Sequence, residues 1–390
     1  MRRFVIIALF LFLAMGSAGA QWEIEESHTT ANLLSVESVD VGVSLANDAN
    51  GLDFRALNGA VAWSSGSNGT VLRTIDGGKL WQVCTTPPGA EYLNFRSIHG
   101  FGADFAIVMS SGLGDQSRVY RTTDGCLHWT LVFSNPDKEG HWDAMQFSME
   151  IGTYKTGYIL GRLADGRLAI FNTRDGGSSW QRYESIPKIS GEDSSSTSYG
   201  SMVLWGSFPR WISNSGSVPQ IYRAEFYAIS DDVFDFRWKP GMDNLVSGKG
   251  AYKIGAIAPA VTWNQSGRNR GGRSHQAGYG VAVGGNGSDQ AGIIGAAWFT
   301  VNDGKTWQPA RTPPHGFRSA VAYNGTKKTW ITVGPNGTDI SSNDGMDWHS
   351  LKPGPSDASD ADRNWVALSL PFAVGSGGRI GKLRSDTLKP

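Results

Sequence analysis

The sequence predicts an all-β protein, a seven-bladed β-propeller of four-stranded antiparallel blades closed by an N-terminal strand. Three observations carry this expectation. A Trp-terminated phrase occurs five times, equivalent segments recur at roughly 41 to 51 residues, and glycine and tryptophan are abundant. The chain holds 51 Gly and 15 Trp in 390 residues. Glycine without a three-residue period excludes collagen. Between aromatic, β-like runs it marks short strands and tight turns. Apolar residues at 40% and aromatic residues at 11% supply a core, which argues against disorder of the whole chain. Lys and Arg total 35 and Asp and Glu total 35. That balance argues against a general nucleic-acid binder while leaving room for a local basic patch.

The repeated phrase comes first. It runs from Thr74 through Asp76 to Trp81, from Thr122 through Asp124 to Trp129, and from Thr173 through Asp175 to Trp180. It returns from Thr300 through Asn302 to Trp307 and from Ser341 through Asn343 to Trp348. Asp or Asn bonds its own backbone two residues on, and glycine supplies the positive φ of a tight hairpin. The hydroxyl satisfies backbone groups at the strand end, and the Trp covers the turn. Each copy is therefore expected to join two strands, with Asp76, Asp124, Asp175, Asn302 and Asn343 in structural roles. Cys126 replaces a glycine in the second copy. With Cys84 it forms the chain's only cysteine pair, so one disulfide and two buried thiols are both open readings.

Upstream elements complete the unit. Gly66–Gly69, Gly334–Gly337 and Gly375–Gly378 read as glycine-rich turns between strands. First strands begin with Phe54-Arg55, Phe95-Arg96, Trp142-Asp143, Tyr252-Lys253, Phe317-Arg318 and Trp365-Val366. Blades are expected to start near 54, 95, 142, 201, 252, 317 and 365, the fourth being degenerate, with strands at Tyr222–Ile229 and Val233–Trp238. The last unit stops near Arg384, one strand short. The segment around Trp22 resembles the strand after Trp180 and is expected to close the ring.

The ends and insertions add expectations of location. Residues 1–20 combine Arg2 and Arg3, an apolar run from Phe4 to Met15, and Ala18-Gly19-Ala20, the pattern of a secretory signal peptide. Cleavage near Ala20 would leave 21–390 as one propeller domain in the periplasm or secreted. A polar stretch at 185–200 and a basic one at 264–279, with Arg268, Arg270, Arg273 and His275, read as insertions.

The five phrases match the Asp-box, or BNR, repeat. With Phe-Arg at the first strand and Val-Gly-x-x-Gly-Thr in the middle, the unit most resembles the photosystem II stability/assembly factor family. Sialidases, xyloglucanase-type hydrolases and sortilin-type receptors share the box. The resemblance implies a propeller serving as a periplasmic or lumenal assembly scaffold. It says little of activity, because the box is a turn device.

Chemistry is sparser. The sequence lacks HExxH, a P-loop, GxSxG and a strand-borne GxGxxG. No cofactor or metal is expected. A glycosidase would need two carboxylates about 5 to 9.5 Å apart. Asp53, Glu91 and Asp143 lie near strand starts, but no spacing selects a pair. First strands line a propeller's channel, so Arg55, Arg96, Asp143, Lys253 and Arg318 are expected around one mouth. Four of these five are basic. They suit an acidic protein segment or another anionic ligand, or else they pair with neighbouring carboxylates. Reversing Arg55, Arg96 and Arg318 to Glu is expected to abolish capture with the fold intact. The leading expectation is an exported, non-enzymatic scaffold that is monomeric and does not span the membrane. A secreted glycoside hydrolase is the alternative.

Overall fold

Alternation along the second strand of each repeat dictates how the molecule assembles. Ala106, Ile107, Val108 and Met109 are all fully buried. Successive side chains point to opposite faces of a sheet, so such a strand must be covered on both sides. Ala106 and Val108 pack with Trp63 and Val71 of the preceding repeat. Ile107 and Met109 pack with Trp142 and Ile159 of the next. Seven sheets standing face to face satisfy this requirement for every repeat.

The computed structural model describes residues 21–39, 60–148, 156–164, 167–183, 199–205, 208–214, 221–230, 233–242, 253–257, 278–354, 357–384 and 387–388. They form seven four-stranded antiparallel sheets. From the axis outward, blade 1 is Leu33–Val39, Val61–Gly66, Val71–Thr74 and Gln82–Val83. Blade 2 is Phe95–Gly100, Ala106–Ser110, Arg118–Thr122 and Thr130–Ser134. Blade 3 is Trp142–Phe147, Gly157–Ala164, Arg167–Thr173 and Gln181–Arg182. Blade 4 is Tyr199–Trp205, Phe208–Asn214, Ile221–Ser230 and Val233–Met242. Blade 5 is Lys253–Ile257, Tyr279–Val283, Ala297–Thr300 and Gln308–Pro309. Blade 6 is Ala320–Asn324, Thr329–Gly334, Gly337–Ser341 and His349–Leu351. Blade 7 is Trp365–Ser369, Phe372–Gly375, Ile380–Leu383 and Trp22–Glu25. The seven inner strands touch one another in sequence, and the last touches the first. No α-helix occurs among the described residues, and none of their helices is long and apolar enough to cross a membrane.

The N-terminal strand closes the ring. Trp22–Glu25 pairs antiparallel with Ile380–Leu383, and the Trp22 indole donates to Thr338 Oγ1 at 3.0 Å. Closure in this manner removes two open sheet edges. Cys84 and Cys126 form a disulfide with their Cα atoms 5.4 Å apart, tying blade 1 to blade 2.

Two blade starts need correction. The inner strand of blade 1 is Leu33–Val39 rather than a strand beginning near 54. Leu33 fills the buried position for which Phe54 looked suited, and a long connection separates the first two strands. In blade 6 the strand begins at Ala320, three residues after Phe317. Residues 1–20, Asp53, Arg55, Ser194–Ser196 and the stretch from Arg268 to His275 lie outside the described residues.

Candidate functional site

The Asp and Asn side chains of the five repeated phrases are engaged in holding their own turns. Thr74 Oγ1 donates to Asp76 Oδ1 at 2.9 Å and accepts the Gly78 N–H at 2.9 Å, while Leu80 N–H donates to Asp76 at 3.1 Å. The pattern repeats around Asp124, Asp175, Asn302 and Asn343. Hydrogen bonds to His128 hold the Asp124 carboxyl at about 2. Burial opposes the same trend at Asp175, yet bonds from Ser179 and Thr173 still bring it to about 2. Trp81, Trp129, Trp307 and Trp348 are buried, and Trp180 is half-buried. The Cys126 residue adopts φ +68°, where its homologues in the repeat are glycine, and it is the residue joined to Cys84.

Strand alternation puts these hairpins at one end of the molecule. The inner-strand starts and the turns between second and third strands lie at the other. A shared irregularity governs the strand-start end. Pairing of the inner strand skips Leu34, Arg96, Asp143, Gly200 and Val366 in blades 1, 2, 3, 4 and 7. A bulge leaves one residue outside the ladder and re-aims its side chain. The preceding Leu33, Phe95, Trp142 and Trp365 are fully buried and anchor each bulge. Blade 1 therefore presents Leu34 at the position where Arg55 was expected.

The cationic ring is incomplete. Arg96 is exposed and makes no hydrogen bond or ion pair among the described residues. Asp143 is buried, with its oxygens 3.5 Å from His141 Nδ1 and 3.5 Å from Arg162 Nε. Lys253 is half-buried. Burial and then the charge of Arg96 bring its ammonium down to about 8, with Asp143 partly offsetting both. Arg96, Asp143 and Lys253 thus share one electrostatic neighbourhood. Arg318 does not join them. Its Nε donates to Asp339 Oδ2 at 2.9 Å, a second nitrogen also donates to that oxygen, and both residues are buried. His315 Nδ1 lies 2.7 Å from the other Asp339 oxygen. Reversal of Arg318 would therefore strand a buried carboxylate, so it tests stability rather than capture.

Two cavities open on this end. The smaller, about 370 Å³, lies over blades 1 to 3 and is lined by Leu34, Asn94, Arg96, Ser111, His141 and Arg162 among others. Ser111 Oγ stands 3.3 Å from His141 Nδ1 and donates to the Trp142 carbonyl at 2.6 Å. The larger, about 670 Å³, lies over blades 5 to 7 and is lined by Glu25, Glu26, Gln290, Ser319, Asn364 and Arg379 among others. Burial raises the Glu25 carboxyl to about 7, against lowering by the Trp81 indole, 2.7 Å away, and Lys382. Arg379 sits 4.9 Å from the Trp365 ring centroid and 3.4 Å from Asp360.

Arg162 and Glu25 carry no motif in the sequence. The first is the sixth residue of a second strand, and the second belongs to the closing strand. Their roles arise only when blades pack. Glu91 is exposed in the connection before blade 2, away from Asp143's buried contacts. Among the described residues no group of three or more His, Cys, Asp or Glu side chains is placed to hold a metal ion.

No family model and no curated protein matches the chain. Solved structures do. YCF48 bound to D1 peptide aligns at TM-score 0.58 and 16% identity, covering 94% of this chain and 97% of that one. YCF48 from Cyanidioschyzon merolae aligns at 0.57 and 16%, covering 94% and 100%. A GH74 xyloglucanase from Xanthomonas campestris aligns at only 0.34 and 12%, covering 76% and 48%. What this chain shares with both YCF48 structures, over nearly its whole length, is the propeller fold.

Proposed function

We propose that this protein is an exported, non-enzymatic binding or assembly scaffold whose strand-start mouth captures an acidic protein segment or another anionic ligand. The observation that carries the reading is Arg96, a bulge-borne guanidinium exposed over a cavity and lacking a partner among the described residues. Arg162 stands at the same cavity with its charge only partly answered by Asp143. A carboxylate entering there accepts charge-assisted hydrogen bonds from the two planar guanidinium groups. It also relieves the repulsion that Lys253 feels from Arg96, and so favours the lysine's charged form. The YCF48 bound to a D1 peptide supports the reading, because a protein of the same fold takes a peptide partner.

A labelled peptide bearing consecutive Glu residues tests capture. Arg96→Glu should weaken its binding about tenfold or more with the thermal midpoint unchanged. Equal binding by both proteins would remove the reading. Export rests on residues 1–20, and the disulfide suits an oxidising compartment. Mass spectrometry of protein recovered from the periplasm or medium should give a chain beginning at Gln21.

One observation favours hydrolysis as a second reading. Glu25, raised to about 7, shares the larger cavity with Glu26, and a carboxyl in that range suits a general acid. A glycan screen decides it: turnover abolished by Glu25→Gln would establish the enzyme, whereas the scaffold predicts none.

A further inference from the structure

The two cavities of the strand-start end share a wall. It is the segment 27–32, which leads from the outer strand of blade 7 to the inner strand of blade 1. Ser27 and Thr29 line the larger cavity and Asn32 lines the smaller. The wall is fixed on both sides. Toward blade 1, Ser67 N–H donates to the Asn32 carbonyl at 2.9 Å, and Asn32 N–H donates to Ser67 Oγ at 3.0 Å. Toward blade 7, Gly378 N–H donates to the Ala31 carbonyl at 2.7 Å, and Gly377 N–H donates to Asn32 Oδ1 at 3.3 Å. Gly378 has φ +74°, and a Cβ there would collide with the Thr29 carbonyl. Only glycine allows this approach.

Charge has opposite sign across that wall. On the blade 1 to 3 side stand Arg96 and Arg162, with Asp143 the carboxylate that partly answers Arg162. On the other side stand Glu25 and Glu26, while Arg379 is compensated by Asp360. Glu26 is largely exposed, and His28 Nδ1 lies 3.9 Å from it. From Thr29 to Asn32 is three residues, so the wall spans at most about 10 Å. An extended peptide covers that distance in about three residues.

The geometry points to a dipolar ligand: an extended peptide lying across segment 27–32, its acidic side chain on Arg96 and a basic side chain beyond the wall on Glu25 and Glu26. The acidic half rests on the proposed capture function, and the basic half is new. A single-sign anion would use one cavity and leave the other empty. A peptide of this pattern answers both fields with one backbone. Like charges facing the two ends would reject the reversed arrangement. Glu25 faces Trp81, Lys382, Glu23 and Asp76 from the elements packed on it. Measurements at pH 8.5 keep it ionised.

Fluorescence anisotropy at low salt provides the test, with fluorescein-Gly-Ser-Glu-Ser-Gly-Lys-Ser-Gly amide as probe and a second probe carrying norleucine for Lys. The Lys probe should bind about fivefold more tightly. Glu26→Gln, at an exposed site, should erase most of that advantage, and the Glu25→Gln/Glu26→Gln pair all of it, without changing the norleucine probe. Equal affinity of the two probes, both still sensitive to Arg96→Glu, would overturn the dipolar proposal and leave anion capture standing. A lysine advantage that survives in the double variant would overturn it as well. Failure of both probes to bind would overturn the two readings together.

Discussion

Blades 2 and 6 each place an arginine directly after an aromatic residue, at the start of the inner strand in blade 2 and two residues before it in blade 6, and the two side chains meet opposite fates. Arg96 points to solvent over a cavity, while Arg318 is buried against Asp339. The difference lies in the third strand. Counting two residues back from the Ser or Thr of each Trp-terminated phrase gives Leu72, Tyr120, Phe171 and Trp298 in blades 1, 2, 3 and 5, and Asp339 in blade 6. All five are buried. An aspartate at an apolar core position needs a counter-charge, and Arg318 supplies it. In blade 2 the same position is Tyr120, whose ring packs edge-on to Phe95, so Arg96 has no carboxylate beneath it. A repeat thus sets where a side chain starts, and its neighbour across the sheet sets what it does.

Substitutions in the two blades test this contrast. The largest effect is expected at the buried pair. Asp339→Leu should cost about 3 to 5 kcal/mol by stranding Arg318, and adding Arg318→Met should restore most of it, as read by denaturant unfolding. Blade 2 is held differently, by the covalent tie to blade 1. Replacing both cysteines by serine opens a loop of 42 residues and should cost about 4 kcal/mol. Cys84→Ala with Cys126→Gly should lose about 1 kcal/mol less, because glycine accepts φ +68°. Between these sectors, at the seam of blades 7 and 1, Glu25 makes stability depend on pH. Its folded carboxyl, at about 7, lies above the ordinary 4.5, so its contribution is full below the ordinary value and is lost as pH rises through 7. Allowing for solvent screening, unfolding free energy should drop by about 1 to 2 kcal/mol between pH 5 and 8.5. Glu25→Gln should flatten that slope. The smallest effect is expected at Arg96→Gln, where stability should move by no more than about 0.5 kcal/mol while acidic-peptide binding weakens.

Much of the architecture was legible because turn chemistry is local. The Thr74-to-Trp81 phrase carries its own hydroxyl, carboxylate, glycines and indole, so its hairpin could be read without any distant partner. The closing strand was legible because the last repeat ran out near Arg384 while the segment around Trp22 resembled the strand after Trp180. The cysteine pair was suggested by a missing glycine in a turn that needs one. Blade 1 misled for a related reason. Phe54-Arg55 imitates Phe95-Arg96, but the inner strand uses Leu33-Leu34, which has the buried anchor and the bulge without the aromatic cue. His141 lies directly before a strand start and Arg162 inside a second strand, and neither carries a motif. Neither has local company that marks it.

From the chain alone came the punctuation: seven sheets, their order and the hairpins that end them, all written in residues a few positions apart. Which charges remain free was decided by packing. Arg318 is neutralised by a residue 21 positions away, and Arg162 meets Arg96 only when blades 1 to 3 stand side by side. Electrostatic fate depends on neighbours in space, and a repeat that preserves backbone position leaves those neighbours free to vary.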